Sequence, residues 1–67
     1  LFEYRGAVED CTKAIELDPG YAYAYSNRCI AREMLRESKN ACKDWEKAAS
    51  LGVHNAEAFM QTSCNDN

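Results

Sequence analysis

Residues 7–25, AVEDCTKAIELDPGYAYAY, decide the fold. Ala7, Val8, Cys11, Ala14 and Ile15 recur at the three-and-four spacing that gathers side chains on one helical face. Glu9, Asp10, Lys13 and Glu16 take the opposite face, with Glu9 and Lys13 in the favourable i,i+4 order. Pro19 cannot continue a helix and disfavours the helical conformation at Asp18, so the stop falls there. Gly20 supplies the backbone freedom of a tight turn, and a second helix starts directly after it. A weaker copy of the stretch returns at residues 41–59 as ACKDWEKAASLGVHNAEAF.

Outward from this joint, the first helix is expected over 1–17, with Tyr4 added to its apolar face. The second is expected over about 22–35, with Tyr25, Cys29, Ile30 and Met34 in helical period. Its polar face carries Arg28, Arg32 and Arg36 every four residues, a stripe that repels itself unless paired. Two readings follow. The arginine stems cover apolar surface while the heads reach carboxylates on a neighbouring helix, or the stripe is a basic patch for an acidic ligand. A third helix starts at Glu37 or Ser38, Ser38 being the better N-cap, and runs to about Leu51 with Ala41, Trp45 and Ala48 on one stripe. Gly52 closes it as a C-terminal glycine. A fourth helix is expected over 56–64, its apolar Phe59 and Met60 beside Glu57, Gln61, Thr62 and Ser63, and residues 65–67 are expected to fray.

Composition narrows the function classes. A chain of 67 residues buries only about 60% of its unfolded surface, so it is one small domain that benefits from a staple or a neighbour. Its net charge of −3 argues against nucleic-acid binding by bulk electrostatics, and no apolar run approaches a membrane span. The chain lacks an initiator Met and begins on Leu1 and Phe2, which reads as a fragment, and a cytoplasmic location is the expectation. Cys11, Cys29, Cys42 and Cys64 show no C-x-x-C spacing, so four free thiols are expected, with disulfides as the second reading and no metal site. His54 falls in a turn with no nucleophile or carboxylate arranged around it, and no phosphate loop is present. No enzyme activity and no cofactor are expected. The remote exception is thiol chemistry at Cys29, should Arg28 or Arg32 lower its pKa.

Shifted by 34 positions, the chain matches itself at nine of 33 pairs, including Ala7/Ala41, Asp10/Asp44, Ala14/Ala48, Leu17/Leu51 and Ala22/Ala56. Average composition gives roughly two by chance. A helix–turn–helix unit of period 34 resembles the tetratricopeptide repeat. Tyr25 stands at the aromatic of the family's first helix and Cys29 where the family prefers glycine. Ala41, Trp45 and Ala48 match the second helix in order and spacing, and Leu17-Asp18-Pro19 matches the stop. Small residues are needed where neighbouring helices approach closely. The departures are Cys11 for an aromatic, Val53 for the stop proline, Arg28 and Arg32 for leucine and tyrosine, and Arg36 for glycine. A non-glycine residue at Arg36 carries strain if the left-handed angle is kept.

The resemblance implies an all-α right-handed superhelical solenoid of antiparallel helix pairs, in four helices. Residues 1–21 would be the second helix and stop of one unit, 22–55 a complete unit, and 56–67 a capping helix and tail, as at the C-terminal end of an array. It implies a protein–protein interaction module, a scaffold or adaptor, whose first helices line a concave groove for a peptide or partner helix. Carried over, the groove residues are Tyr23, Ser26, Asn27, Ile30, Glu33, Met34, Glu57 and Gln61, with the Asn27 amide suited to a peptide main chain. The alternative is self-assembly into a homo-oligomer through an uncovered first-helix face of Val8, Cys11 and Ile15. The family's carboxylate clamp for chaperone tails needs cations where this chain has Glu57 and Gln61, so that mode is not expected.

Overall fold

The stop at Asp18 and Pro19 governs the topology. In a computed structural model, which describes residues 3–54 together with Cys64, the chain folds as three helices, α1 (Tyr4–Leu17), α2 (Ala22–Met34) and α3 (Ser38–Ser50). Among the described residues there is no strand. Glu3 caps α1, so the helix begins at Tyr4 rather than Leu1, and α2 ends at Met34 rather than Leu35. The fourth helix expected over 56–64 lies outside the described residues, apart from Cys64. Short connections leave consecutive helices antiparallel, and α2 packs between α1 and α3.

Each helix stops for a local reason. After α1, the Asp18 carboxylate accepts the Gly20 N–H at 3.1 Å and its carbonyl accepts the Tyr21 N–H at 3.0 Å, an Asx-type turn. The Tyr25 hydroxyl donates to the Pro19 carbonyl at 3.2 Å, tying the turn to α2. Both α2 and α3 end in paired reverse bonds of the Schellman kind. Glu37 N–H reaches Arg32 O at 2.8 Å and Arg36 N–H reaches Glu33 O at 3.0 Å. Val53 N–H reaches Ala48 O at 2.9 Å and Gly52 N–H reaches Ala49 O at 3.0 Å. The left-handed position is Gly52 (φ 99°) after α3 but Arg36 (φ 62°) after α2. Arg36 therefore carries the strain expected of a side chain at that angle.

The N-cap of α3 is Glu37, not Ser38, and it makes no side-chain capping bond. Its carboxylate faces Arg5 at 3.6 Å and Arg32 at 4.0 Å instead. The core is built from small residues: Ala24, Ala31, Ala41 and Ala48 are buried and Cys29 is fully enclosed, which lets the helices approach closely. On α1 the expected apolar face is half-buried and the expected polar face exposed.

The cysteines depart from the sequence expectation. Cys42 and Cys64 are joined in a disulfide, their Cα atoms 5.4 Å apart although 22 positions separate them in sequence. Cys11 and Cys29 are free thiols. Spacing alone carried no sign of the bond, because the fold brings the two together and the sequence distance does not.

Candidate interaction surface

Two arginines of the stripe, Arg28 and Arg32, are consumed inside the fold, while Arg36 lies exposed beyond the end of α2. Arg28 forks onto Asp44 of α3, Nε to Oδ2 at 2.9 Å and Nη2 to Oδ1 at 2.8 Å. Arg32 adds a third bond from Nη1 to Oδ2 at 2.9 Å. The third arm of Arg28, Nη1, donates to Thr12 of α1 at 3.0 Å, and Thr12 in turn donates to the Val8 carbonyl at 2.7 Å. The Arg28 guanidinium also lies over the Tyr25 ring, 5.7 Å from its centre. One buried carboxylate thus clamps α2 to α3, and one arginine clamps both to α1. The bonds to Asp44 hold the Arg28 guanidinium above its already high pKa, so it stays charged. For Arg28 and Arg32 the basic-patch reading gives way to pairing within the chain.

With those heads turned inward, the other side of α2 presents an exposed apolar row. Tyr23 is 60% exposed, Ile30 38% and Met34 50%, and exposed Asn27 sits among them. Their spacing of four, three and four residues keeps all four on one helical face. Across from this row the start of α1 adds a second wall. Glu3, Tyr4, Ala7, Asn27, Ile30 and Ala31 line a shallow, mostly apolar pocket of about 210 Å³. A second shallow pocket, near the end of α2, is lined by Glu33, Met34, Arg36 and Ser38.

Of the groove residues expected from sequence, Tyr23, Asn27, Ile30 and Met34 share the exposed row, and Glu33 is half-buried at its edge. Ser26 is a correction: at 3% exposure it is part of the packing and offers nothing to a ligand. Glu57 and Gln61 lie outside the described residues. Tyr4 and Ala7 were missed as wall residues, because their apolar periodicity reads as core, and only the placement of α1 beside α2 turns their edge outward.

The other candidates are changed as well. Val8, Cys11 and Ile15, expected as an open face, are half-buried among the described residues. The thiol reading of Cys29 is overturned: burial, then the nearby charges of Asp44 and Glu33, push its pKa up to about 11. Arg28 and Arg32 do not activate it, because their charge is committed to Asp44. Cys11 is also raised, chiefly by burial, with Arg28 opposing.

Comparison with known proteins adds relatives that match most of this chain. RNA polymerase II-associated protein 3 of Xenopus tropicalis is 43% identical over 58 residues, 87% of this chain and 9% of that protein. A DnaJ homolog subfamily C member 7 homolog of Dictyostelium discoideum is 39% identical over 51 residues, 76% of this chain and 10% of that protein. Both are proteins that contain tetratricopeptide repeats. The chain belongs to the tetratricopeptide-repeat family. Serine/threonine-protein phosphatase T of Aspergillus oryzae is also similar, 38% identical over 61 residues, 91% of this chain and 13% of that protein. This tetratricopeptide-repeat chain therefore spans about a tenth of the length of the relatives it matches. No family model and no solved structure matches it. Within the fold, α2 and α3 stand as a helix pair and α1 as the helix before it, and no described helix is long and apolar enough to cross a membrane.

Proposed function

We propose that the chain is a protein–protein interaction module, a non-enzymatic adaptor element, that binds a partner peptide or helix along α2. The observation that carries this reading is the exposed row of Tyr23, Asn27, Ile30 and Met34 facing the wall of Tyr4 and Ala7. Three apolar side chains fit the alternate anchors of a partner helix, and the Asn27 amide can donate and accept with a peptide main chain. Residues 22–55 act as the complete unit of a right-handed superhelical solenoid, with α2 as its groove-lining helix. Glu57 and Gln61 are proposed to complete the second wall. Two carbonyl-bearing side chains without a cation suit donors on the ligand, not a terminal carboxylate.

Calorimetry with peptides selected from a random display library tests the reading. Ile30→Glu is expected to weaken the selected peptides at least tenfold, while Glu9→Gln on the exposed side of α1 leaves affinity unchanged. Equal affinity for parent and Ile30→Glu overturns it.

A further inference from the structure

The side of α2 that carries the exposed row is not covered by the cations of its own helix. Arg28 and Arg32 turn to the other side, where the buried Asp44 holds them. Carboxylates border the row instead. Glu3 is exposed and lines the shallow pocket with Ala7, Asn27 and Ile30. Asp10, also exposed, stands at the border between the two faces of α1 and continues the stripe of Glu3 and Ala7, four and then three residues on. Among the described residues neither of these two carboxylates takes part in an ion pair. Past Met34, half-buried Glu33 lines the second pocket together with Arg36, the cation of that end.

We infer that the α2 row takes an amphipathic helix of a partner protein whose apolar stripe is flanked, on one side, by two basic residues seven positions apart. This rests on the reading that the row binds a partner, and it names the chemistry of that partner. Glu3 and Asp10 are seven residues apart along α1, about 10 Å at a rise of 1.5 Å per residue. A helix lying along the seam of α1 and α2 therefore meets both carboxylates with Lys or Arg at i and i+7. Its apolar side chains then face Tyr23, Ile30 and Met34, in the way an amphipathic helix enters a groove. Arg36 repels a further cation at the Met34 end, which confines the basic pair to the α1 side of the row.

The charges select among helices more than they add adhesion. Exposed ion pairs are weak and screened by salt, so the apolar contacts hold the partner and the carboxylates choose it. A second copy of the chain is excluded as occupant by the same charges. It carries a net charge of −3, and its own row would bring Glu3 and Asp10 against their like.

The test pans a display library on the immobilised chain at low salt. Its members are helical peptides with leucines fixed on one face and two flanking positions, seven apart, varied among Lys, Gln and Glu. Lys–Lys members are expected to be enriched over Gln–Gln and Glu–Glu members. In calorimetry the synthetic Lys–Lys peptide should bind about threefold or more tighter than its Gln–Gln counterpart, the scale of two exposed pairs. The gap should close at high salt. Glu3→Lys with Asp10→Lys should invert the preference towards Glu–Glu peptides. Glu9→Lys with Glu16→Lys, the same charge change on the outer side of α1, should leave the order as it was. All four side chains are exposed, so the helical circular dichroism is expected to persist in both variants. Enrichment of Gln–Gln or Glu–Glu members, or a Lys preference that survives the reversal at Glu3 and Asp10, would overturn the basic-helix assignment alone, with Ile30→Glu still abolishing capture. No enrichment above bare support, or capture that Ile30→Glu leaves intact, would overturn the binding reading and this inference with it. A dimer in sedimentation that Ile30→Glu dissolves would assign the row to a second copy and overturn the inference as well.

Discussion

Replacing Asp44 by Asn removes the one carboxylate on which three helices converge. The Asp44 side chain is 5% exposed and takes three charge-assisted bonds of 2.8 to 2.9 Å from Arg28 and Arg32. An amide in its place cannot accept all three, and the two guanidiniums keep only weaker contacts, Arg28 with Thr12 and the Tyr25 ring and Arg32 with Glu37 at 4.0 Å. Breaking a buried pair by removing one partner costs about 3–5 kcal/mol, because the surviving charge stays buried. A domain of this size has roughly 3–10 kcal/mol of stability in all. The substitution is therefore expected to lower Tm by about 12–40 °C, at about 4–8 °C per kcal/mol for a domain of this length. The assay is a thermal melt followed by circular dichroism at neutral pH, repeated in high salt, which should do little to a buried cluster. Replacing all three together, as Arg28→Met, Arg32→Leu and Asp44→Leu, should recover most of the loss, since the desolvation penalty goes with the charges. A Tm for Asp44→Asn within about 4 °C of the parent would refute the view that this cluster holds the helices together.

Two further outcomes follow from the turn and the buried thiol. Arg36→Gly should raise stability by about 0.5–1 kcal/mol, because glycine relieves the left-handed strain and loses part of that gain to backbone entropy. Chemical denaturation measures it, and a lower midpoint contradicts the assignment of strain. For Cys29, the folded pKa of about 11 stands above the ordinary value of 9.0. Below pH 9 the thiol is neutral in both states and its contribution is intact. As pH rises from 9 to 11 the unfolded chain loses the proton and the folded chain keeps it, so stability falls by about 1.4 kcal/mol per pH unit across that window. Cys29→Ala should flatten that part of the pH profile, and an unchanged slope would show that the thiol ionises freely.

The fold was largely legible in the sequence because its determinants are local. The three-and-four periodicity around Ala7, Ala14, Ala41 and Ala48, the stop at Pro19 and the glycine after Leu51 each act within a turn of their own position. The repeat then fixed how such helices stack. Arg36 was legible for the same reason, since a break between helices that wants glycine and lacks it must bear the angle. Ser38 misled because a good capping side chain competes with the charge network that draws Glu37 toward Arg5 and Arg32. The destination of Arg28 and Arg32 was half-legible: the stripe demanded carboxylates, but Asp44 became visible only when α3 was placed beside α2. Ser26 and Ile30 share one helix, and periodicity alone did not separate the buried from the exposed. The Cys42–Cys64 pair is a contact between residues distant in sequence, which spacing cannot reveal.

The central claim is that the α2 row binds a partner, and nuclear magnetic resonance tests it most directly. A library-selected peptide is titrated into the isotopically labelled chain while amide and methyl shifts are followed. The account predicts perturbations concentrated at Tyr23, Asn27, Ile30 and Met34 with Tyr4 and Ala7, and little change at Glu9, Lys13 and Glu46. Shifts centred on the outer faces of α1 or α3, with the α2 row unmoved, would contradict it.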